Sequence, residues 1–450
     1  MSCVTPTLLI IGYVWPEPNS SAAGTRMLQL IKQFLTHGYG VHFASPAKLG
    51  EHKADLTSLG VQEYNIELNH SSFDLFIAAL QPNLVLFDRF MMEEQFGWRV
   101  AQYAPNALRI LNTEDLHCLR EVRQQLVKSY LTSSKSNGAC TLDEIALHDV
   151  AVLKAKLQQT DLAKREIAAI FRSDLTLMIS EFEMDLLVNH FNVPITHLHY
   201  LPFLYEQDAG GLPAAWVPTF AQRIGFVSIG NFRHAPNWDA VLWLKQQIWP
   251  HIRKQLPQAE CFIYGAYPPK KATELHNPKQ GFYVKGWVDD AFAALSQARV
   301  CLAPLRFGAG IKGKLAEAML CGTPSVTTSI GAESMLLTTW PGHIANNDEA
   351  FARLAVQLHQ DDQAWLSAQT VGFDTVAQRY QMPRPEISSL FDTLKRINQQ
   401  LDAHRSSNFM GSVLNHHHHK STQYMAQWIE VKNQLAQANA PINPIQQAIL

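Results

Sequence analysis

The sequence predicts an α/β protein: two doubly wound Rossmann-like domains facing each other across a cleft, followed by a C-terminal helical tail. Three observations carry this. The 450 residues exceed what one typical core holds. Short apolar runs alternate with helical spacings in two successive series, as βα units do. A stretch with Gly210, Gly211, Pro213 and Pro218 separates the series and reads as a linker over 207–222. In sheets of this kind ligands bind off the carboxyl ends of the strands, so the chemistry belongs in the cleft.

The elements follow in order. Residues 8–11 form an apolar run ending at Gly12, as a buried parallel strand does. Residues 24–36 place Met27, Leu28, Ile31, Phe34 and Leu35 at helical spacing, and Gly38-Tyr39-Gly40 stops that helix. Strands are expected at 41–44, 83–87, 108–111 and 175–179. An amphipathic helix covers 115–131, a small-polar loop 132–140, and one long helix 142–171. In the second series, strands at 224–229, 260–264, 281–284, 300–304 and 325–328 alternate with helices at 238–256 and 310–320.

Composition bounds the function. Apolar residues make up 47% of the chain, enough for filled interiors. Lys and Arg number 37 against 39 Asp and Glu, a balance that argues against a nucleic-acid partner. The six cysteines (Cys3, Cys118, Cys140, Cys261, Cys301, Cys321) form no CxxC pair, which favours a reducing compartment. The opening MSCVTPTLLIIGYVWPEP lacks a basic region and reads as a first strand, not a signal peptide. No run of about 18 apolar residues is present, so no membrane span is expected and the cytoplasm is the default.

The chemistry concentrates at 302–333, LAPLRFGAGIKGKLAEAMLCGTPSVTTSIGAE. A strand ends at Pro304, and a loop with Gly308 and Gly310 leads into a helix closed by Gly322 and Pro324. Glycines at a helix entry let N–H groups approach an anion, and the helix dipole favours negative charge there. Lys312 and Lys314 oppose that dipole, at about 0.3–1 kcal/mol each on an exposed surface. A diphosphate ligand would supply the missing negative charge. Glu317, one turn on, is placed to accept hydrogen bonds from vicinal hydroxyls such as those of a ribose. The same residues also fit an ordinary surface helix with solvated lysines.

This stretch resembles the C-terminal signature of GT-B glycosyltransferases, specifically the glycosyltransferase family 4-like (group 1) proteins. The matching residues are Gly308-Ala309-Gly310-Ile311-Lys312-Gly313-Lys314, Glu317-Ala318-Met319 and Gly322-Thr323-Pro324, with Gly286-Trp287-Val288-Asp289-Asp290 and Gly230-Asn231-Phe232 through Pro236-Asn237 before them. The likeness extends over about residues 5–395, more loosely in the first half. It implies retaining transfer from a nucleoside diphosphate sugar to a glycan, lipid-linked or other glycoconjugate acceptor, as in polysaccharide biosynthesis, with no cofactor and no catalytic metal. It also implies an acceptor-side domain over 1–206, a donor domain over 223–375, a helix over 376–400 crossing back to the first domain, and a tail over 401–450.

Residue by residue, the resemblance makes Glu317 the ribose ligand. The other glutamate of the family's pair falls at Ala309, and the family's Arg and Lys after the domain's first strand fall near Asn231 and Asn237, with Arg233 and His234 close by. Lys312, with Lys314 or Arg233, is then the expected partner of the leaving diphosphate. Gly24 matches the family's glycine loop, Arg26 follows it, and His117 resembles a first-domain histidine facing the transferred sugar. The expected donor contacts are thus Gly24, Arg26, Arg233, Gly308, Ala309, Gly310, Ile311, Lys312, Lys314 and Glu317, with His117, Lys312 and Glu317 in catalysis.

Other features read as structure. Asp289-Asp290 suits a helix N-cap and not a metal motif. Glu114 and Asp115 read as first-turn helix acids and Asp88 as a strand end, while Gly331 and Ala332 are candidates for amides touching phosphate. His416 to His419 read as solvated tail, and residues 421–436 put Tyr424, Met425, Trp428, Ile429 and Leu435 on one helical face. That face needs a partner: the protein's own body, another copy, or peripheral contact with the inner membrane face. Two rivals stand beside the transferase. One is a non-catalytic binding or scaffold protein, for which Ala309 speaks; the other is a nucleotide-sugar epimerase or phosphorylase on the same plan. A nicotinamide dehydrogenase is disfavoured, because Gly12-Tyr13-Val14-Trp15-Pro16 is no GxGxxG turn.

Overall fold

The computed structural model describes residues 5–133, 140–206 and 217–438. The first domain runs β1 (Thr7–Ile11), α1 (Ala22–Thr36), β2 (Gly40–Ser45), β3 (Gln62–Asn65), α2 (Ser72–Leu80), β4 (Leu84–Asp88), α3 (Phe90–Tyr103), β5 (Leu108–Asn112) and α4 (His117–Thr132). It continues through α5 (Val150–Leu157), α6 (Asp161–Arg172), β6 (Leu175–Met178), α7 (Glu181–Phe191) and β7 (Leu198–Tyr200). The seven strands form one sheet, β3-β2-β1-β4-β5-β6-β7. Each recorded pair is parallel. Leu8, Leu9, Ile10 and Ile11 of β1 are all fully buried, because helices cover both faces of the sheet. The helix predicted over 142–171 is broken: Asp149 and Thr160 each capture backbone N–H groups and restart the chain as α5 and α6.

The second domain runs β8 (Ile224–Ile229), α8 (Ala235–Trp243), a π turn at Leu244–Ile248, α9 (Trp249–Gln255), β9 (Cys261–Tyr264), α10 (Lys270–Thr273), β10 (Phe282–Gly286) and α11 (Ala291–Gln297). It then adds β11 (Ala298–Ala303), α12 (Gly313–Leu320), β12 (Ser325–Thr327), α13 (Ser329–Ala332), β13 (Gly342–Ile344), α14 (Asp348–Gln360) and α15 (Asp362–Arg379). Its sheet order is β10-β9-β8-β11-β12-β13. Both sheets therefore reverse direction at their first strand, beside β1/β4 and β8/β11, and these switch points open onto the cleft. Asp290 caps α11 by accepting from the Ala293 N–H, as its position before Ala291 predicts.

Two crossings tie the halves together. Residues 140–147 come from the first half of the chain, yet Cys140, Leu142, Ile145 and Leu147 pack in the second domain's core with Trp243, Leu302 and Phe351. The Leu142 N–H donates to the Asn346 carbonyl at 2.8 Å. The return crossing is α16 (Pro385–Gln399), whose Ile387, Leu390, Leu394 and Ile397 join the cluster under β1 and α1. After α17 (Leu401–Ser407) comes α18 (Phe409–Ala438), which packs on α3 and α6. Gly411 and Ala426 of α18 are buried, and Glu430 accepts from Ser71 Oγ at 2.6 Å. Tyr424, Met425, Trp428 and Leu435 of the predicted apolar face stay exposed. Of the four-histidine run, the side chains at 417–419 lie outside the described residues, as do loop residues 134–139 and linker residues 207–216. Among the described residues, no helix is long and apolar enough to cross a membrane.

Candidate functional site

On the second-domain side the site is built at the ends of β8 and β11. A Cβ at Gly230 would lie 2.6 Å from Lys314 Nζ, so glycine clears the space in which that ammonium meets Asn237 Oδ1 at 2.7 Å. Lys314 stands in the first turn of α12, and burial lowers its pKa to about 8. Glu317, one turn further in, makes no hydrogen bond through its carboxyl among the described residues. Burial raises it to about 7, with Lys314 pulling the other way. Lys312 is the N-cap residue of α12, one position before the helix. Its ammonium turns back on its own loop, donating to the carbonyls of Gly310 at 2.6 Å and Ala309 at 3.3 Å.

On the first-domain side, β1, β4 and β5 end at Gly12-Tyr13, Asp88-Arg89 and Asn112 to Glu114. Arg89 and Glu114 both have left-handed backbones, with φ +73° and +61°. Asn112 Nδ2 donates to Glu114 Oε1 at 2.7 Å and to Asp88 Oδ1 at 3.4 Å. Burial raises Glu114 to about 7 and Asp88 above its ordinary value. Asp115 pairs with Arg120 and lies 3.5 Å from His117 Nε2; against its burial, these partners hold it well below the usual carboxylate range. Burial lowers His117 to about 4, so the ring is neutral near pH 7. Glu166 caps this end of α4, accepting the N–H groups of His117 and Cys118 at 3.0 and 2.8 Å.

The two sides touch at Gly310, where φ is +62° and a Cβ would lie 2.9 Å from the Asp115 Cβ. The Gly310 N–H donates to Glu183 Oε1 at 2.7 Å. Beside it Arg123, buried in α4, grips Glu333 through two bonds of 2.8 and 2.6 Å and donates to the Gly308 carbonyl at 2.9 Å. His148 adds a contact to Glu333 at 3.2 Å. On the opposite flank the Tyr267 hydroxyl meets the Glu17 carboxylate at 2.9 Å, Arg233 covers the Tyr267 ring at 3.6 Å, and His52 stacks on Trp287 at 4.1 Å. His234, exposed just before α8, has Lys314 of its own domain and Arg120, Asp115 and Arg89 across the cleft as charged neighbours.

The structure sorts the predicted residues. Lys314, Glu317, Gly308, Gly310 and Lys312 share one loop and helix, while His117 and Asp115 face it from the first domain. Ile311 is 8% exposed, and its side chain packs with Phe203 and Leu315 in an apolar cluster. Ala309 is buried with Phe90 and Leu116 of the first domain. Gly24 sits in the first turn of α1, pressed against the backbone of Glu17. Arg26 lies under the first-domain strand ends, its Nη1 donating to the Pro202 carbonyl at 2.9 Å, and not on the lysine loop. Arg233 belongs to the Tyr267 flank. The amides of Gly331 and Ala332 are taken by Thr328, whose hydroxyl and carbonyl accept them, so they are not free for phosphate. Glu114 and Asp115 precede the helix instead of opening it. Sequence reasoning missed Asn237 as the partner of Lys314, and it missed Arg123 and Glu183. Only Asn237 carried a signal, as a polar residue where the resembled family has a cation.

Residues 223–361 match the family model described as glycosyl transferases group 1. No curated protein matches the chain in sequence. Among solved structures, a glycosyltransferase from Rickettsia africae ESF-5 is similar at TM-score 0.59 and 11% identity, covering 88% of this chain and 99% of its own. Sucrose-phosphate synthase from Thermosynechococcus elongatus is similar at 0.58 and 16% identity, covering 88% and 99%. Anabaena HepE, solved with UDP and glucose, is similar at 0.55 and 13% identity, covering 89% and 99%. At such identities the structures speak for the fold. The second domain is thus a group 1 glycosyltransferase domain, carried in a chain with the GT-B fold.

Proposed function

We propose that this chain moves a glycosyl group from a nucleoside diphosphate sugar onto a glycan, lipid-linked or other glycoconjugate acceptor. In this reading the anomeric configuration is retained, no metal acts in catalysis, and the reaction runs in the cytoplasm, with α18 free for peripheral membrane contact. One observation carries it: the Lys314 ammonium is buried at the β8/β11 switch point and, among the described residues, hydrogen-bonded only to a neutral amide. A buried cation without a hydrogen-bonded counter-anion is costly, and this one sits where doubly wound sheets hold their ligands. The unpaired N–H groups and dipole at the start of α12 favour the same anion.

Lys314 then neutralises the departing diphosphate, which is where charge builds as the glycosidic bond to phosphate breaks. Glu317 accepts the ribose hydroxyls. Lys312 has a different task from the one its position suggests: it holds the loop by binding the Ala309 and Gly310 carbonyls. Asp115 brings a carboxylate to the loop at Gly310, next to the alanine that replaces the family's first glutamate. Neutral His117 faces the same space. The buried Ala309 also favours a second reading, a binding protein without turnover.

A thermal-shift panel of UDP, GDP, dTDP and their sugars tests the first reading, with uridine nucleotides first because HepE was solved with UDP. One nucleotide should raise the melting temperature by linkage, and Lys314→Ala should remove most of the rise. No shift with any nucleotide at millimolar concentration overturns the reading. Binding without donor turnover favours the scaffold, and the NMR-assigned anomer of any product checks retention.

A further inference from the structure

A side chain of the first domain bonds both sides of the cleft through a single atom. Glu183 stands in the first turn of α7 and is 0% exposed. Its Oε1 accepts the Gly310 N–H at 2.7 Å and the Leu116 N–H at 3.1 Å. Gly310 lies on the lysine loop, two residues before Lys312. Leu116 lies between Asp115 and His117, which face that loop from the first domain, and it caps α4 with no side-chain bond of its own. The start of α7 reaches the second domain once more. There the Phe182 N–H donates to Ser334 Oγ at 3.1 Å, and Ser180 Oγ meets the same oxygen at 3.1 Å.

An acid is a costly choice here. Glu183 Oε2 is buried without a hydrogen bond among the described residues, and Asp115 and Glu333 are acidic neighbours. Burial, aided by Asp115, raises the carboxyl to about 8. Near pH 7 it is therefore a neutral acid that takes both N–H groups on one oxygen. A buried polar group kept at such cost where two domains meet points to a function of the joint. Hydrogen bonds fix distance and direction, so the Gly310 and Leu116 backbones do not shift independently while Oε1 holds both. A ligand that orders the lysine loop strengthens the first bond, and the cost of ordering Asp115 and His117 falls with it.

We infer that Glu183 is a positioning residue: it couples the lysine loop at Gly310 to Asp115 and His117, so that a diphosphate bound at Lys314 sets the opposite side of the cleft for the transferred sugar. Glu183 itself touches no reacting atom. The inference rests on the transferase reading, which supplies both the diphosphate and the sugar.

Hydrogen exchange on the full chain at pH 7 separates the two claims, with UDP as the probe and GDP and dTDP behind it. UDP carries no sugar, the group that His117 is expected to face, so protection at 115–118 reports the joint. In the wild type the nucleotide should slow exchange in 308–317, and in 115–118 by about fivefold, the worth of one hydrogen bond. Glu183→Gln keeps an acceptor at the Oε1 position and should preserve both effects. Glu183→Leu should preserve the first and lose the second. If Glu183→Leu fails to fold, Glu183→Asp takes its place, being one methylene too short to reach both amides. Protection of 115–118 that survives the loss of reach overturns the coupling, as does protection of 308–317 alone in the wild type. No protection of 308–317 by any of the three nucleotides overturns the transferase reading instead. The coupling is then decided in the free chain, where Glu183→Leu must speed exchange in 115–118 and 308–317 together, or the joint is refuted as well.

Discussion

On one flank of the cleft Arg123 and Glu333 meet through two hydrogen bonds, their side chains 0% and 5% exposed, with His148 and the Gly308 carbonyl completing the set. On the other flank a half-buried phenol hydroxyl, Tyr267, meets the Glu17 carboxylate, beside the His52 ring stacked on Trp287. The first contact has lost its water, so separating it exposes two unpaired charges at once. The second exchanges one hydrogen bond for water at little cost. The strap at 140–147 adds apolar packing to the first flank and has no counterpart on the second among the described residues. The contrast predicts that the domains part by rotating about the Arg123 side, opening the cleft past Tyr267.

The largest expected effect breaks the anchored flank. Glu333→Ala leaves Arg123 buried without a carboxylate and should cost about 3–5 kcal/mol, read as a fall in the urea midpoint. Arg123→Met with Glu333→Leu should recover most of the loss, because removing both charges removes the orphan. A single-variant loss below about 1 kcal/mol would put the pair among ordinary surface bridges and undo the contrast. The pH dependence has a definite sign. Glu333 is held at about 2 against an ordinary 4.5, with burial opposed chiefly by Arg123. Its contribution is present above 4.5 and is lost as pH falls from there toward 2.

A smaller effect with the opposite sign concerns Lys314. Its pKa is lowered to about 8 from 10.5, so between those values the unfolded chain binds more protons and stability rises with pH. Lys314→Met should therefore stabilise the free protein near pH 7, by roughly 1–2 kcal/mol, while abolishing any nucleotide-induced rise in melting temperature. A lysine kept for packing would behave the other way, and the two arms of one melting experiment decide it. Lys312→Met is the comparator: it takes the bonds from two loop carbonyls and should destabilise.

These contrasts show what the sequence could carry. Periodicity placed β1, α1, β8 and β11 because buried parallel strands and amphipathic helices write their burial into consecutive residues. It also drew attention to Lys312, Lys314 and Glu317, since cations at a helix start break a local rule. It could not tell the two lysines apart. Which ammonium turns back on Gly310 and which reaches Asn237 depends on a residue about seventy-five positions away. The helix read over 142–171 failed for a local reason, the caps at Asp149 and Thr160. Residues 140–147 are different: nothing in their own composition says that they serve the other domain's core. Arg26, Arg89 and Asn112 were each ordinary alone, and their unbonded buried atoms come together only in three dimensions.

The smallest expected effect tests the open flank. Tyr267→Phe keeps the ring under Arg233 and deletes only the bond to Glu17, so stability should move by about 1 kcal/mol or less. The informative reading is hydrogen exchange. If the cleft opens here, the loop between β1 and α1 and the turn after β9 should exchange faster in the variant, while the 140–147 strap keeps its protection. Faster exchange in the strap would mean that the domains part on the Arg123 side. Faster exchange in neither would mean that Tyr267 does not hold the cleft shut, and the anchored and open flanks would have to be exchanged or abandoned as a description of the motion.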